Sequence, residues 1–414
     1  MTGRGPLRDN ADFRRYWLGQ AASELGTQLS LVAYPLLVFA LGGTAAQAGG
    51  IASASLLTKL ACRLPAGVIT DRFDRRRVMI ASDVIRAVAL GSIPVAGLLG
   101  GPLYLHLLAV AIVEGAASAV FRPAAMVAVR RMVPADQLTL ALSRSQSRVA
   151  AVSLVGPALG GFLFTLHRLV PFLADAVSCL VSAVLVSRIR TPLSRQRTDT
   201  RPDWRLGAGI SWLVRRRTFR NVFALAGVIN MISVSVVLLV VVTAEAHGRS
   251  GTTIGLLLAC VGIGFVVGAA AAPVILARVP APVVFLGLGL SWVVTAAVLI
   301  ATTQPWAVGA VLAAQFVLSP AGGILVGKAM LLGAPDELQG RVASAADLLM
   351  SGLAAVGPLL TGVLLDTVGV RATLLVLAAL ALLATVACLP TLRTPGLLTE
   401  PDPVQSPVHT GESR

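Results

Sequence analysis

The sequence predicts an all-α integral membrane protein, with twelve transmembrane helices arranged as two six-helix halves. Its composition, the spacing of its apolar runs and an internal repeat predict this. Of 414 residues, 56% are apolar, 5% aromatic and only 13% charged, against about a quarter charged in a soluble domain. So few charges cannot cover a water-soluble body of this size. The apolar residues instead gather in a dozen runs of roughly 20, each long enough to cross a bilayer as a helix.

Bounded by Gly, Pro and Arg clusters, the first six helices are expected over 14–41, 47–70, 77–98, 103–128, 138–165 and 169–189. A second six are expected over 218–243, 252–277, 282–302, 305–330, 340–365 and 370–391. The chain then divides into an N-terminal segment (1–13), a first half (14–189), an Arg-rich linker (190–217), a second half (218–391) and a Pro- and Ser-rich tail (392–414), for which disorder is expected. A short amphipathic helix on the membrane surface is expected near Trp204 to Trp212. The opening MTGRGPLRDNADFRR lacks the order of a cleavable signal, so the first apolar stretch is expected to be retained as a span.

Orientation follows from the basic residues. Thirty-four Lys and Arg against 19 Asp and Glu give a formal charge of +15. Arg4, Arg8, Arg14, Arg15, Arg72, Arg75, Arg76, Arg77, Arg130 and Arg131 fall on one side, with nine arginines between Arg188 and Arg217. The opposite loops carry Arg168, Arg249 and Arg371. By the positive-inside rule the Arg-rich side is cytoplasmic, which puts both termini there in a multi-pass protein of the inner (plasma) membrane. The basic excess is thus topological, and no nucleic-acid partner is expected.

The repeat fixes the architecture. The stretch from Pro134 (PADQLTLALSRSQSRVAAVSLVGPALGGFLF) aligns without a gap on that from Pro335 (PDELQGRVASAADLLMSGLAAVGPLLTGVLL). The match pairs Ser143 with Ser344, Gly156-Pro157 with Gly357-Pro358, and Gly161 with Gly362. Phe13-Arg14 and Phe219-Arg220 open spans one and seven in the same way. Copies six spans apart cross in the same direction, so this is a parallel repeat with a substrate path expected between the halves.

Two motifs carry mechanism. Between spans two and three the chain reads Gly67-Val-Ile-Thr-Asp71-Arg72-Phe-Asp74-Arg75-Arg76-Arg77. Gly67 permits close helix approach, Asp71 can cap a helix or pair with an arginine, and the arginines can hold the loop at an anionic leaflet. This string resembles the GxLaDrxGrkxxl signature of the major facilitator superfamily, with Asp74 where that pattern often has Gly. In span five, Gly156-Pro157-Ala-Leu-Gly160-Gly161 is similar to the end of the antiporter motif of drug-exporting members, although Val152 stands where a glycine is expected. The strings FRRYWLGQAASELGTQLS, FRPAAM and PFLADAVSCLVSA resemble the branch of macrolide-efflux and enterobactin-export carriers. That branch often carries an acid where this chain has Thr27, and here the acid comes earlier, at Glu24.

The resemblance implies the major facilitator fold and a secondary active transporter working by alternating access. It further implies proton-coupled export of an amphipathic organic compound such as a drug, a macrolide-like natural product or a siderophore. An uptake carrier or lysophospholipid flippase of the same fold, or a non-transporting membrane sensor, is the alternative. No nucleotide loop and no His or Ser constellation with acid partners appears, so no enzyme activity is expected. Cys62, Cys179, Cys260 and Cys388 lie in apolar runs without metal-ligand spacing, and neither a metal nor a cofactor is expected. The expected partners are a small-molecule substrate, protons and the lipid bilayer, with the protein a monomer.

Charges at membrane depth are functional candidates by default. Glu24 in span one, Lys59 in span two and Glu114 in span four are expected to share the central cavity, with a carboxylate exchanging a proton. Lys59 is the expected partner of Glu24, while Glu114 has no basic residue within a helical turn. Arg63, Asp83, Arg86 and Arg122 are read as pairing or gating groups near the cytoplasmic ends. Asp175, Lys328 and Asp347, toward the ends of their spans, receive no transport role.

Overall fold

A computed structural model describes residues 7–193, 206–333 and 339–392, and every regular element among them is helical. The first half comprises α1 (Ala11–Ala40), α2 (Ala45–Ala61), α3 (Arg63–Arg72), α4 (Arg75–Leu98), α5 (Tyr104–Met132), α6 (Leu138–Leu166) and α7 (Val170–Ser187). The short α8 (Leu206–Arg215) precedes the second half. That half comprises α9 (Arg217–Ala246), α10 (Gly251–Arg278), α11 (Ala281–Ala301), α12 (Pro305–Val317), α13 (Ser319–Gly333) and α14 (Gln339–Leu392).

Local chemistry sets these boundaries. Asn10 caps α1 by accepting from the Phe13 amide at 3.0 Å. Thr44 and Gln47 form a reciprocal capping box at the start of α2, and Ser250 accepts from the Thr253 amide to open α10. Proline enters the first turn of α7, α11 and α12, where its missing N–H costs nothing. Two expected spans are broken: span two at Cys62, between α2 and α3, and span ten at Leu318, between α12 and α13. The expected spans eleven and twelve run together as α14, which bends at Gly369. There φ is 76°, a conformation that only glycine adopts without strain.

Among the described residues nine stretches are long and apolar enough to cross a membrane. The one over 342–390 is double-length and supplies two crossings; α1, with its polar face, and the broken α2–α3 pair supply the rest. The segments 194–205 and 393–414, which hold much of the expected linker and the tail, lie outside the described residues. Of the expected surface helix, α8 is described from Leu206. Leu213 is buried in the second-half core, and Trp212 packs on Phe219 with ring centroids 4.9 Å apart. α8 is therefore anchored to the bundle by its C-terminal turn.

The apolar core falls into four clusters, and their membership describes the relation of the halves. Near the Arg-rich face one cluster draws only on the first half (Phe13, Met79, Phe121, Val186) and another only on residues from Leu213 onward (Phe223, Phe285, Leu325, Cys388). Toward the opposite face the clusters cross over. Val32 and Leu36 of α1 pack with Ile232, Val236 and Leu239 of α9, and Leu238 and Leu365 pack among Ala45, Ala48 and Leu107. The halves share a core on the Arg-poor side and have separate cores on the Arg-rich side.

The candidate transport site

Span five shows how the repeat builds the contact between halves. A methyl group added at Gly156 would meet Cβ of Gln28 on α1 at 2.5 Å, and one at Gly160 would meet Cα of Leu29 at 3.0 Å. At Gly161 it would overlap the carbonyl of Gly251 on α10. The repeat partners do the same in α14: Gly357 faces Met231 and Ser235 of α9, while Gly362 faces the carbonyl of Ala45 on α2. Each copy thus packs one glycine on the first helix of its own half and another on a helix of the other half. Lipid gives no hydrophobic drive to pack helices together, so this close backbone approach is what holds them. Pro157 belongs to the same seam, its carbonyl lying where a side chain on Gly255 of α10 would go.

Polar contacts reinforce the Arg-poor side. Asp366 of α14 accepts hydrogen bonds from the Ala45 and Ala46 amides at 3.1 and 2.8 Å, capping α2 from across the interface. Thr165 of α6 accepts from the Thr252 amide of α10 at 3.1 Å. On the other side, Gly67, Gly323 and Gly327 have no neighbour within 4 Å of an added Cβ. Gly67, read as a close-packing residue, makes no close helix contact here. An ion pair does cross between the halves deeper in: Arg63 of α3 with Asp347 of α14, both side chains about half exposed.

The gating string lies on α3 and the start of α4. The side chain of Asp71 lies outside the described residues, and Arg72 is exposed. Asp74 caps α4, accepting from the Arg77 amide at 3.1 Å, so the departure from Gly in the signature supplies a helix cap. Arg75 and Arg76 turn inward rather than toward lipid headgroups. They donate to the carbonyls of Leu193 (3.3 Å) and Thr191 (2.9 Å), just beyond α7. Asp12 holds the same segment, accepting from the Arg190 amide, the Thr191 amide and the Thr191 hydroxyl at 3.1, 2.8 and 2.7 Å. Burial pushes the Asp12 carboxyl upward, but the bonds from Thr191, Arg190 and Arg15 outweigh it and hold the group below its ordinary value.

Two faces of α1 organise the membrane-embedded charges. On one face Glu24 receives a bidentate pair from Arg148 of α6, Nε and Nη2 donating at 2.9 and 2.8 Å. One turn on, Gln28 donates to Ser153 at 3.1 Å. The expected Glu24–Lys59 pair is therefore not formed, and Lys59 makes no hydrogen bond or ion pair among the described residues. Arg148 escapes sequence reading because it sits in the polar run SRSQSR at the Arg-rich end of span five. Its depth and its facing toward α1 emerge only in the packed bundle.

On the other face of α1, Arg86 of α4 donates to the hydroxyls of Ser23 (2.9 Å) and Thr27 (2.7 Å). Around it stand Asp83 at 3.8 Å, Glu114 of α5 at 3.9 Å and Asp175 of α7 at 4.0 Å, all with side chains at most 7% exposed. Asp175 accepts from Ser30 at 2.6 Å. Both Asp83 oxygens and the Tyr34 hydroxyl are buried without a hydrogen bond. Glu114, read as a carboxylate without a basic neighbour, in fact faces Arg86, because the neighbour comes from another helix. Asp83, Arg86 and Asp175, read as lying toward span ends, converge with it in the core. The predicted trio is split: Glu24 pairs with Arg148, Glu114 joins the Arg86 cluster, and Lys59 stands apart. Among the described residues no group of His, Cys, Asp and Glu has the arrangement of a metal site.

A helical bundle in two pseudo-equivalent halves, with buried charges and a seam open at one end, has the architecture of a membrane carrier. Residues 16–354 match the family model described as Major Facilitator Superfamily. The chain belongs to the Major Facilitator Superfamily, and is a multi-pass membrane transporter, not an enzyme. It is 29% identical over 370 residues to "Multidrug efflux pump Tap" of Mycobacterium tuberculosis, covering 85% of this chain and 87% of that one. It is 30% identical over 186 residues to "Macrolide efflux protein A" of Streptococcus pyogenes, covering 44% and 45%. Among solved structures, a bacterial homologue of the human lysosomal transporter Spinster, inward-facing and unoccupied, superposes with a TM-score of 0.73 at 14% identity, covering 94% and 98%. The nucleoside transporter NupG gives 0.74 at 11% identity, covering 92% and 99%. These two likenesses concern the fold alone.

Proposed function

We propose that the chain exports an amphipathic organic compound across the cytoplasmic membrane in exchange for protons, by alternating access between its halves. The efflux relatives support the direction. The Arg-rich side is taken as cytoplasmic, and the separation of the two cores on that side supports a substrate entrance there. The observation that carries coupling is the Arg86 cluster. Three carboxylates surround one guanidinium in an enclosed, apolar setting, and such a group balances its charge only when two of the acids hold protons. Glu114 is taken as the exchanging member because it alone of the three comes from α5, across the bundle from α1; like Asp83, and unlike Asp175, it accepts from no hydroxyl among the described residues. Glu24, paired with Arg148 yet one-third exposed, is a second site that substrate or proton can perturb. The gating string acts through Arg75 and Arg76, which tie α4 to the end of α7, and the span-five glycines act as the bearing on which the halves turn.

Everted vesicles carrying the protein test this reading. A fluorescent amphipathic dye should accumulate when a proton gradient is imposed and leak out when it is collapsed. With Glu114→Gln, gradient-driven accumulation should fall by about tenfold or more, with dye binding to the purified protein retained. Accumulation only in right-side-out vesicles would instead favour an uptake carrier or flippase.

A further inference from the structure

Three cations, Lys59, Arg63 and Arg122, lie inside apolar runs on the Arg-rich side of the first half, and among the described residues only Arg63 has a partner. Arg63 is bridged to Asp347 of the other half and lies close enough to Arg122 of α5 to feel its charge. Arg122 is exposed, two turns along α5 from Gly115, the residue that packs against Ser55 and Thr58 of α2. Lys59 is half-buried on the stripe Ala48, Ala52, Ser55 and Lys59, which faces the first-half interior, while Leu57 and Ala61 on the opposite face are exposed. Neither Lys59 nor Arg122 makes a hydrogen bond or ion pair among the described residues.

Depth makes this arrangement informative. At 1.5 Å per residue, Arg63 and Arg122 lie about 14 to 15 Å from the Arg-rich ends of α3 and α5, and Lys59 stands one turn further in, on α2 beyond the break at Cys62. The arginine stems recover part of that distance and the lysine stem less, so the three heads stand inside the level of the helix ends. Cations held there without counter-ions require a polar cleft, and the separation of the halves on this side supplies one. Among the described residues Arg63 alone of the three is paired, with Asp347 of the other half.

We propose that Lys59, Arg63 and Arg122 receive the anionic head, carboxylate or phosphate, of an amphipathic substrate whose apolar body lies along the cleft. The inference rests on the transport reading above only in taking this cleft as the substrate path. Lys59 and Arg122 provide unpaired charge. Arg63 is the member that changes partner: an anion bound to it competes with Asp347 and so loosens the ion pair between the halves. A cationic ligand of the same shape meets like charge. Substrate charge thus becomes a specificity determinant that the efflux names alone do not supply.

Binding to the purified full chain in nanodiscs, at equilibrium and without a gradient, tests this separately from coupling and direction. The probe is dansylaminoundecanoic acid, compared with its neutral amide and with the amine of equal chain length. The carboxylate should bind about tenfold more tightly than the amide, with the amine weakest. Lys59→Gln and Arg122→Gln should each erase most of that preference, and Lys59→Arg should keep it. Asp347→Asn should tighten carboxylate binding about threefold, because Arg63 loses its competitor; a merely misfolded variant cannot produce a gain. Competition by dodecanoate and by a single-chain phosphate lipid distinguishes a free acid from a lipid headgroup as the source of the anion, and displacement by either supports the site. Equal binding of acid, amide and amine, or a preference unchanged in both glutamine variants, would overturn it.

Discussion

At the scale of single residues, the membrane-embedded charges were legible as candidates but not as pairs. Glu24, Lys59 and Glu114 stand out because each is an ionisable group inside an apolar run. The pairing of Glu24 with Arg148 and of Glu114 with Arg86 does not, because the arginines come from other helices, and no spacing along the chain encodes which helix faces which. The Glu24–Arg148 pair offers a direct measurement. Arg148 is buried, with 5% of its side chain exposed, so Glu24→Gln leaves a cation without its counter-charge. Such loss costs roughly 3–5 kcal/mol for a fully buried pair, and about 2 kcal/mol is expected here because Glu24 is partly hydrated. Thermal melts of the single variants and of Glu24→Gln combined with Arg148→Met provide the check. The double variant should melt above Glu24→Gln, whereas simple additivity would show that the pair is not coupled.

At the scale of elements, span boundaries follow closely from apolar run length and from capping residues such as Asn10, Thr44 and Ser250. The breaks at Cys62 and Leu318 are hidden from a count of apolar run length, although each has a proline just beyond it, Pro65 and Pro320, in the first turn of the helix that follows. The repeat fares better, because glycine pairs at matching positions mark where backbones touch: Gly156 with Gly357 and Gly161 with Gly362. Gly362→Val should wedge α14 from α2 and lower the apparent melting temperature, consistent with about 1–3 kcal/mol for overpacking. The same change at Gly327, which has open space, should be close to neutral in melting.

The tie between α1 and the end of α7 adds a pH dependence at this scale. The Asp12 carboxyl is depressed in the folded protein, so its contribution is complete above the ordinary carboxylate range. It is lost as pH falls through the lower folded value. Asp12→Asn should therefore melt below the parent at pH 7, and the gap should narrow in acid; a gap independent of pH would show that Asp12 acts only by its shape.

At the scale of the whole molecule, the decisive asymmetry is where the two halves share a core. They interpenetrate on the Arg-poor side through Val32, Leu36, Leu238 and Leu365 and separate on the Arg-rich side. Composition and the positive-inside pattern predict the halves and their orientation, but not which end is closed, because neither encodes which helix ends pack across the seam. The closed end carries a polar fastener in addition to its packing: Asp366 supplies a carboxylate to the Ala45 and Ala46 amides, the positive end of the α2 dipole. A capping interaction of this kind is worth about 1 kcal/mol, enough to move a balanced two-state equilibrium about fivefold. Asp366→Ala should shift the protein toward opening on the Arg-poor side, while Asp366→Asn, which still presents an acceptor oxygen, should shift it less. Distances between spin labels on the outer ends of α2 and α14 give the readout. The alanine variant should show an increased population of longer distances, and its thermal stability should change little. An unchanged distance distribution would mean that glycine-mediated packing alone keeps that face shut, and would place control of opening in the Arg63–Asp347 bridge on the other side.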